Sequence, residues 1–236
     1  MKIDVLTLFP EMFRGPFDES ILRRAQDKGI VDIKIHNLRD WASDKHKTVD
    51  DRPFGGGKGM VIRVDVVHRA ISNFQFPISN KKKRRIILLS PQGKNFTQKK
   101  ARDLSKLEHL ILIAGHYEGF DERITENLVD EEISIGDYIL TGGEIPVMVI
   151  VDSVARLLPG VLEEETTKHE SFSKLKIENS KLKNLLDYPQ YTRPEKYLDW
   201  KVPKVLLSGN HKEIEKWRQN KSVEISKQKR PDLIKD

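Results

Sequence analysis

The sequence predicts an α/β protein with a largely parallel sheet, followed by a small helical C-terminal domain. Short, almost continuously apolar runs at residues 85–90 and 109–115 indicate strands that are buried on both faces, as in parallel sheets. Segments with helical spacing of apolar residues separate such runs, and this alternation is typical of strands joined by crossover helices. The chain of 236 residues is long enough to bury a core of this kind.

The predicted elements alternate along the first 160 residues. Strand patterns cover residues 2–9, 31–38, 85–90, 109–115 and 132–140. Helical patterns cover residues 20–29, 64–74, 97–107, 121–130 and 143–160, with Gly29 and the Pro159–Gly160 pair as stop signals. We therefore expect residues 1–160 to form one domain.

The character of the chain changes after Gly160. Residues 163–184 are polar and charged, with few apolar side chains, which predicts a flexible linker over residues 161–186. Aromatic residues return from residue 187, and Asn210 is placed as the N-cap of a helix. Residues 187–236 are therefore expected to form a small helical domain.

Composition excludes several classes of function. The chain has no cysteine, which excludes disulfides, cysteine zinc sites and thiol nucleophiles. The apolar run at residues 145–151 is too short to span a bilayer, and residues 1–13 lack the features of a signal peptide. We therefore expect a cytoplasmic protein without a membrane segment. A net charge of +6 favours a polyanionic partner such as nucleic acid.

A glycine-rich stretch, RPFGGGKGM at residues 52–60, raises the question of a phosphate-binding loop. A P-loop needs a glycine five residues before its Gly-Lys pair and a hydroxyl residue after the lysine. Arg52 and Gly59 occupy those two positions around Gly57 and Lys58, so the sequence disfavours a nucleoside triphosphatase. Two interpretations remain: a surface turn, or a loop whose glycines let a ligand approach closely.

Three predicted strands lead into loops rich in glycine or proline, at residues 88–93, 114–123 and 134–146. Ligands of open α/β sheets lie beyond the carboxyl ends of the strands. One such loop alone is typical of an ordinary tight turn, but three with acidic and tyrosine side chains nearby favour a ligand pocket. None of them matches the dinucleotide fingerprint GxGxxG.

Eight motifs that follow one another along the chain resemble the bacterial tRNA (guanine-N1)-methyltransferases, the TrmD family of the SPOUT class. They are LFPEMF, KHKTVDDRPFGGGKGM, LSPQG, GHYEGFDER, EISIGDYILTGGEIP, VDSVARLLPGVL, YPQYTRP and VLLSGNHKEIEKWR. The resemblance implies a SPOUT-type parallel sheet with a deep trefoil knot at its C-terminal end. It also implies a homodimer with active sites at the interface, S-adenosylmethionine as methyl donor and a contribution from Mg²⁺. The acceptor would be N1 of the guanine at tRNA position 37, next to the anticodon.

The resemblance also implies roles for individual residues. Arg156 would lie near the guanine, and Glu170 would act as the general base. RNA contacts would come from Arg52, Gly57, Gly59, Arg193 and His211. The donor pocket would consist of Leu89, Ser90, Pro91, Gly115, Tyr117, Glu118, Ile135, Gly136, Asp137, Tyr138, Ile139, Leu140, Gly142, Gly143 and Pro146.

The chain departs from the family pattern around the general base. The family has an aspartate in a motif ending DSF, whereas this chain reads HESF, so that Glu170 stands at the aspartate position. The stretch before this motif is one residue short and residues 173–184 form a longer segment than usual, while Lys58 replaces a proline. We hypothesise that the shorter stretch offsets the extra methylene of Glu170. His169 as base and Glu170 as a solvated linker charge remain alternatives.

Two other functions remain open. One is a SPOUT methyltransferase that acts on ribosomal RNA or on a ribose hydroxyl, which the YTRP motif and the full-length resemblance disfavour. The other is a catalytically idle RNA-binding protein, which only the altered base motif favours. A methyl-transfer assay discriminates between the two.

Overall fold

The computed structural model describes residues 1–74, 83–168, 170–172 and 185–234. The chain separates into two compact units, Met1–Leu162 and Glu163–Asp236. Within the described ranges, no helix is both long enough and apolar enough to cross a membrane.

The first unit contains seven strands and five α-helices in its described residues. In chain order they are β1 (Lys2–Thr7), α1 (Ser20–Asp27), β2 (Asp32–Asn37), β3 (Asp50–Asp51), β4 (Val61–Ile62), α2 (Val64–Asn73), β5 (Arg84–Asn95), α3 (Gln98–Leu104), β6 (His109–Ala114), α4 (Glu122–Asn127), β7 (Glu131–Ser134) and α5 (Glu144–Ala155). Each of the ten elements predicted for this region is present, with changed ends.

A five-stranded sheet with the order β2-β1-β6-β5-β7 forms the centre of this unit, and all of its pairings are parallel. The central strand β6 pairs with β1 and β5, and five of its six residues are buried. This confirms the parallel α/β sheet predicted from the continuous apolar runs.

Helices cover both faces of the sheet, which explains why its strands are apolar on both sides. On one face, Ile3 and Val5 of β1 pack with buried residues of α1, α3 and α5. On the other face, Leu6 packs with buried residues of α2 and α4. Because side chains alternate along a strand, β1 contributes residues to two separate cores, one on each face of the sheet.

Two strand predictions were wrong at their carboxyl ends. β7 ends at Ser134, whereas the apolar pattern predicted a strand to residue 140, and residues 135–140 instead form an irregular loop. β5 continues to Asn95, beyond the predicted end at Ser90. The short antiparallel pair β3–β4, which brackets the glycine-rich stretch, was not predicted.

The second unit contains α6 (Glu164–Lys168), β8 (Lys196–Tyr197), β9 (Trp200–Lys201), α7 (Lys204–Leu207) and α8 (His211–Lys229). The predicted N-cap is confirmed, because the Asn210 side chain accepts a hydrogen bond from the Glu213 N–H at 3.3 Å. A short helix, α6, and a hairpin, β8–β9, occupy stretches where none was predicted. Residues 173–184 of the predicted linker lie outside the described residues.

Candidate functional site

A cavity of about 460 Å³ opens at the carboxyl edge of the sheet, where the neighbouring strands β6, β5 and β7 end. This volume is within the range of small-molecule sites. The cavity is lined by every residue predicted for the donor pocket except Asp137: Leu89, Ser90, Pro91, Gly115, Tyr117, Glu118, Ile135, Gly136, Tyr138, Ile139, Leu140, Gly142, Gly143 and Pro146. The structure therefore brings three segments that are distant in sequence into one wall.

The first wall segment is an excursion inside β5. Leu89 and Lys94 are both in register with Ile133 of β7, so the residues between them leave the ladder and turn towards the cavity. The loop is held internally by the Gln92 N–H, which donates to Ser90 Oγ at 3.1 Å. A side chain at Gly93 would overlap the backbone of Ile133, so glycine is required where the loop rejoins the sheet.

The second wall segment follows the end of β6 and is hydrogen-bonded to the residue that precedes α5. The Gly143 N–H donates to the Gly115 carbonyl at 2.7 Å, and a side chain at Gly143 would overlap the Ala114–Gly115 backbone. Tyr117 has a φ of +60°, a left-handed conformation that costs a non-glycine residue about 1–2 kcal/mol. Such strain persists where the surrounding contacts fix the backbone, as they do at binding loops.

The third wall segment follows β7. The buried Ser134 Oγ donates to the Gly136 carbonyl at 3.0 Å and accepts from the Gly136 N–H at 3.2 Å. Gly136 has a φ of +152°, and a side chain there would overlap the ring of Tyr138. Next to this turn, Ile139 is 80% exposed. The apolar pattern that suggested a strand therefore belongs to residues that border a cavity.

The glycine loop, residues 52–60, is attached to the wall of the same cavity. The Glu118 N–H donates to the Met60 carbonyl at 3.0 Å, and the Ile62 N–H donates to the Gly119 carbonyl at 2.9 Å. Gly59 lies so close to Glu118 that a side chain at position 59 would overlap the Glu118 side chain. Arg52, Gly57 and Gly59, which were predicted to contact RNA, thus lie in a loop that is attached to the cavity wall.

A buried polar group lies beneath the wall; sequence analysis placed its acidic residue near the strand-end loops but did not predict its burial or its partners. Glu144, the first residue of α5, is 1% exposed and accepts a hydrogen bond from Thr7 Oγ1 at 2.8 Å. Its second oxygen lies 3.8 Å from Nδ1 of His116, and Gly142 packs against both side chains. The signal for Glu144 in the sequence is an acidic residue that directly follows two glycines and lies in the first turn of a predicted helix.

The charge of the cavity wall is negative. Glu118, Glu122 and Glu132 line it, and none of its described lining residues is lysine or arginine. Carboxylates without neighbouring cations favour a ligand that carries positive charge over a phosphate. This agrees with the sequence, in which the glycine-rich loops match neither the P-loop nor the dinucleotide fingerprint GxGxxG.

The two predicted catalytic residues are not among the residues that line the cavity. Arg156 follows the last residue of α5, about 15 Å along the helix from the lining residue Pro146. Glu170 belongs to the second unit and is half-buried, while His169 lies outside the described residues. The predicted RNA contacts Arg193 and His211 are exposed in the second unit.

Across the described part of the chain, no group of three His, Cys, Asp or Glu side chains is arranged to hold a metal ion.

Together, the fold and site define a parallel α/β protein with a cavity of small-molecule size at the carboxyl edge of its sheet. A family model described as tRNA (Guanine-1)-methyltransferase TrmD matches residues 1–236, and the chain belongs to this family. The family that the sequence motifs indicated is thereby confirmed.

Relatives named tRNA (guanine-N(1)-)-methyltransferase are similar over the whole chain. The protein from Dictyoglomus turgidum is 52% identical over 235 residues, covering 99% of this chain and 90% of that protein. The protein from Carboxydothermus hydrogenoformans is 54% identical over 236 residues, which cover 100% of this chain and 88% of that protein. The protein from Bacillus subtilis strain 168 is 52% identical over 236 residues, which cover 100% of this chain and 93% of that protein.

Proposed function

We propose that this protein transfers the methyl group of S-adenosylmethionine to N1 of the guanine at tRNA position 37. Membership of the tRNA (guanine-N1)-methyltransferase family supports the reaction and its RNA substrate. The single observation that carries the donor assignment is the cavity at the carboxyl edge of the sheet, whose charged lining residues include three glutamates and, among those described, no lysine or arginine.

The residues of the cavity fit this donor in size, charge and shape. S-adenosylmethionine carries a sulfonium and an ammonium group, and the sulfonium supplies an electrophilic methyl group. Glu118, Glu122 and Glu132 offset this positive charge. Leu89, Ile135 and the neighbouring apolar walls suit the faces of an adenine ring, and the backbone of the glycine-rich loops suits its polar edge.

The chemistry also requires groups that act on the guanine. During transfer, a bond forms between N1 and the methyl carbon, the carbon–sulfur bond breaks, and the N1 proton leaves. We assign acceptance of this proton to the carboxylate of Glu170. Arg156 stabilises the negative charge that develops on the guanine O6.

A homodimer accounts for the position of Arg156. Its place beyond the far end of α5 is about 15 Å from the cavity of its own chain, beyond the reach of its side chain, so it would serve the cavity of a second copy. Ile145 and Val149 support such an interface, since these large apolar residues are 45% and 39% exposed on one side of α5. A helix that is apolar on all sides is normally covered.

Several further features of the proposal rest on family membership. We infer a trefoil knot in the donor-binding unit and a role for Mg²⁺ in the reaction. Residues 161–186 would act as a lid that completes the site when tRNA binds. Residues 187–236 would hold the RNA, with Arg193 and His211 in contact with it. The reaction would take place in the cytoplasm.

Methyl transfer to RNA tests the proposal. The protein is incubated with methyl-labelled S-adenosylmethionine and either an unmodified tRNA transcript or a ribosomal RNA fragment. Label is expected only in the tRNA, as N1-methylguanine. Gly143→Ala should abolish donor binding in a calorimetric titration because its methyl group overlaps Gly115, whereas Gly29→Ala, which meets no atom within 4 Å, serves as control. Donor binding without transfer to any RNA would instead support the catalytically idle RNA-binding function.

A further inference from the structure

We propose that the β8–β9 hairpin is an RNA-contacting surface that takes an unpaired base on one face and phosphates on the other. This inference deepens the proposed function and rests on it for the identity of the partner. It assigns roles to Lys196, Tyr197 and Trp200, which neither the cavity nor the predicted RNA contacts include.

The hairpin has two chemically different faces. Tyr197 and Trp200 are directly opposite each other, with ring centroids 5.8 Å apart. Lys196 and Lys201 form the adjacent pair. Because side chains alternate along a strand, the aromatic pair and the lysine pair project from opposite faces. A two-residue turn, with Leu198 at a φ of +53°, connects the strands.

The aromatic face is open to solvent in this chain. Tyr197 is 60% exposed and Trp200 is 70% exposed, so that each side chain gains only a minor part of the free energy of burial that large aromatic residues usually contribute. A two-stranded hairpin is marginally stable by itself. An exposed pair of rings on such a hairpin therefore indicates a partner rather than a structural core.

The lysine face also lacks an internal explanation. Like charges directly opposite each other destabilise a strand pair, and Lys196 and Lys201 are in that arrangement. In the described part of the chain, neither lysine has an acidic partner. An anion from outside the chain would relieve this repulsion.

RNA fits both faces better than a second protein copy does. Bases of unpaired nucleotides stack on tyrosine and tryptophan rings, and flexible lysine side chains neutralise the flanking phosphates. Protein–protein interfaces are depleted of lysine, whereas residues 193–204 contain four lysine or arginine residues and two acidic residues. The tRNA of the proposed reaction offers such unpaired bases in its loops.

Binding of an unmodified tRNA transcript to the full-length protein, followed by fluorescence anisotropy at several salt concentrations, tests the inference. Tyr197→Ala/Trp200→Ala is expected to raise Kd about tenfold with little change in the salt dependence. Tyr197→Phe/Trp200→Phe should restore binding because the rings remain. Lys196→Gln/Lys201→Gln is expected to raise Kd and to lower the slope of log K against log salt by about 1.4.

Two matched controls accompany these variants. Leu207→Ser removes an exposed apolar side chain from α7, outside the hairpin, without removing a ring, and should leave Kd unchanged. Lys227→Gln/Lys229→Gln removes two exposed charges from the end of α8 and should leave it within about twofold of the wild type.

Sedimentation velocity separates RNA binding from self-association. If the hairpin variants dissociate the protein while tRNA binding per protomer is kept, the surface is an interface between copies and the inference is wrong. Unchanged Kd and salt slope would also overturn it. Because anisotropy does not need methyl transfer, a wild type that binds tRNA without methylating it would refute the proposed function alone.

Discussion

Gly59 lies directly against the side chain of Glu118, and a side chain at position 59 would overlap it. The contact joins the glycine loop to the cavity wall, next to the hydrogen bond between the Glu118 N–H and the Met60 carbonyl. The glycine loop and the cavity wall are thereby connected, so that a shift of the loop displaces a residue that lines the cavity.

Gly59→Ala should therefore lower kcat/KM for methyl transfer by tenfold or more, since displacements of about 1 Å cost up to about a hundredfold in rate. The matched control is Gly55→Ala. Gly55 has the same φ of +84° as Gly59 but meets no atom within 4 Å, so this variant carries only the backbone strain. Equal losses in steady-state kinetics of the two variants would show that the Glu118 contact is unimportant.

Glu170→Gln should reduce kcat by about 10²-fold or more, because an amide cannot accept the N1 proton. Donor affinity should stay unchanged, since the cavity residues belong to the first unit and Glu170 to the second. Single-turnover transfer and calorimetry measure the two quantities. Glu163→Gln, at an exposed position of the second unit, is the control. Near-normal turnover of Glu170→Gln would remove this residue from the mechanism.

Subunit mixing tests whether Arg156 serves the cavity of a second copy. Arg156→Ala and Gly143→Ala should each be inactive alone. When the two are co-expressed, random pairing should restore about a quarter of the wild-type activity, because half of the dimers then contain one intact site. Separately purified proteins that are not allowed to exchange subunits are the control. Failure to restore activity in verified mixed dimers would mean that Arg156 acts within its own chain.

Asp4 makes the stability of the first unit depend on pH. Burial alone would raise the pKa of Asp4, but hydrogen bonds from His109, His36 and Lys2 outweigh it and hold this pKa well below its usual range. A depressed carboxyl pKa stabilises the fold above the unfolded-state value of about 4, and the stabilisation is lost as pH falls below it.

Asp4→Asn should therefore lower the free energy of unfolding at pH 7 by about 2–4 kcal/mol, because it leaves the partners of a buried carboxylate unpaired. It should also weaken the fall in stability below pH 4. Urea unfolding across this pH range measures both effects, with the exposed Asp32→Asn as control. An unchanged pH dependence in Asp4→Asn would assign acid sensitivity to other carboxyl groups.

Sequence periodicity predicted the sheet well because its strands are buried on both faces. The runs that became β1 and β6 were located to within two residues at either end. The same criterion failed at residues 135–140, where apolar side chains border a cavity instead of a sheet. Apolar patterning therefore does not distinguish residues that are buried in a sheet from exposed apolar residues at the border of a cavity, such as Ile139.

The remaining misses depend on contacts between distant segments. The excursion in β5 is visible only from its register with Ile133, and the Thr7–Glu144–His116 group joins three separate elements. The β8–β9 hairpin lacks the glycine or asparagine turn that usually predicts one. By contrast, all residues assigned to the donor pocket from the motif resemblance, except Asp137, line the cavity. Loops at the carboxyl ends of neighbouring parallel strands converge on one edge of the sheet.

The most direct test of the central claim is to locate the methyl group on tRNA. Two unmodified transcripts are compared, one with guanines at positions 36 and 37 and one with adenine at position 37, and the products are digested and analysed by mass spectrometry. We predict one N1-methylguanine per molecule, at position 37, in the first transcript and none in the second. A methyl group at another position or on a ribose, or none on either transcript despite donor binding, would contradict the proposed function.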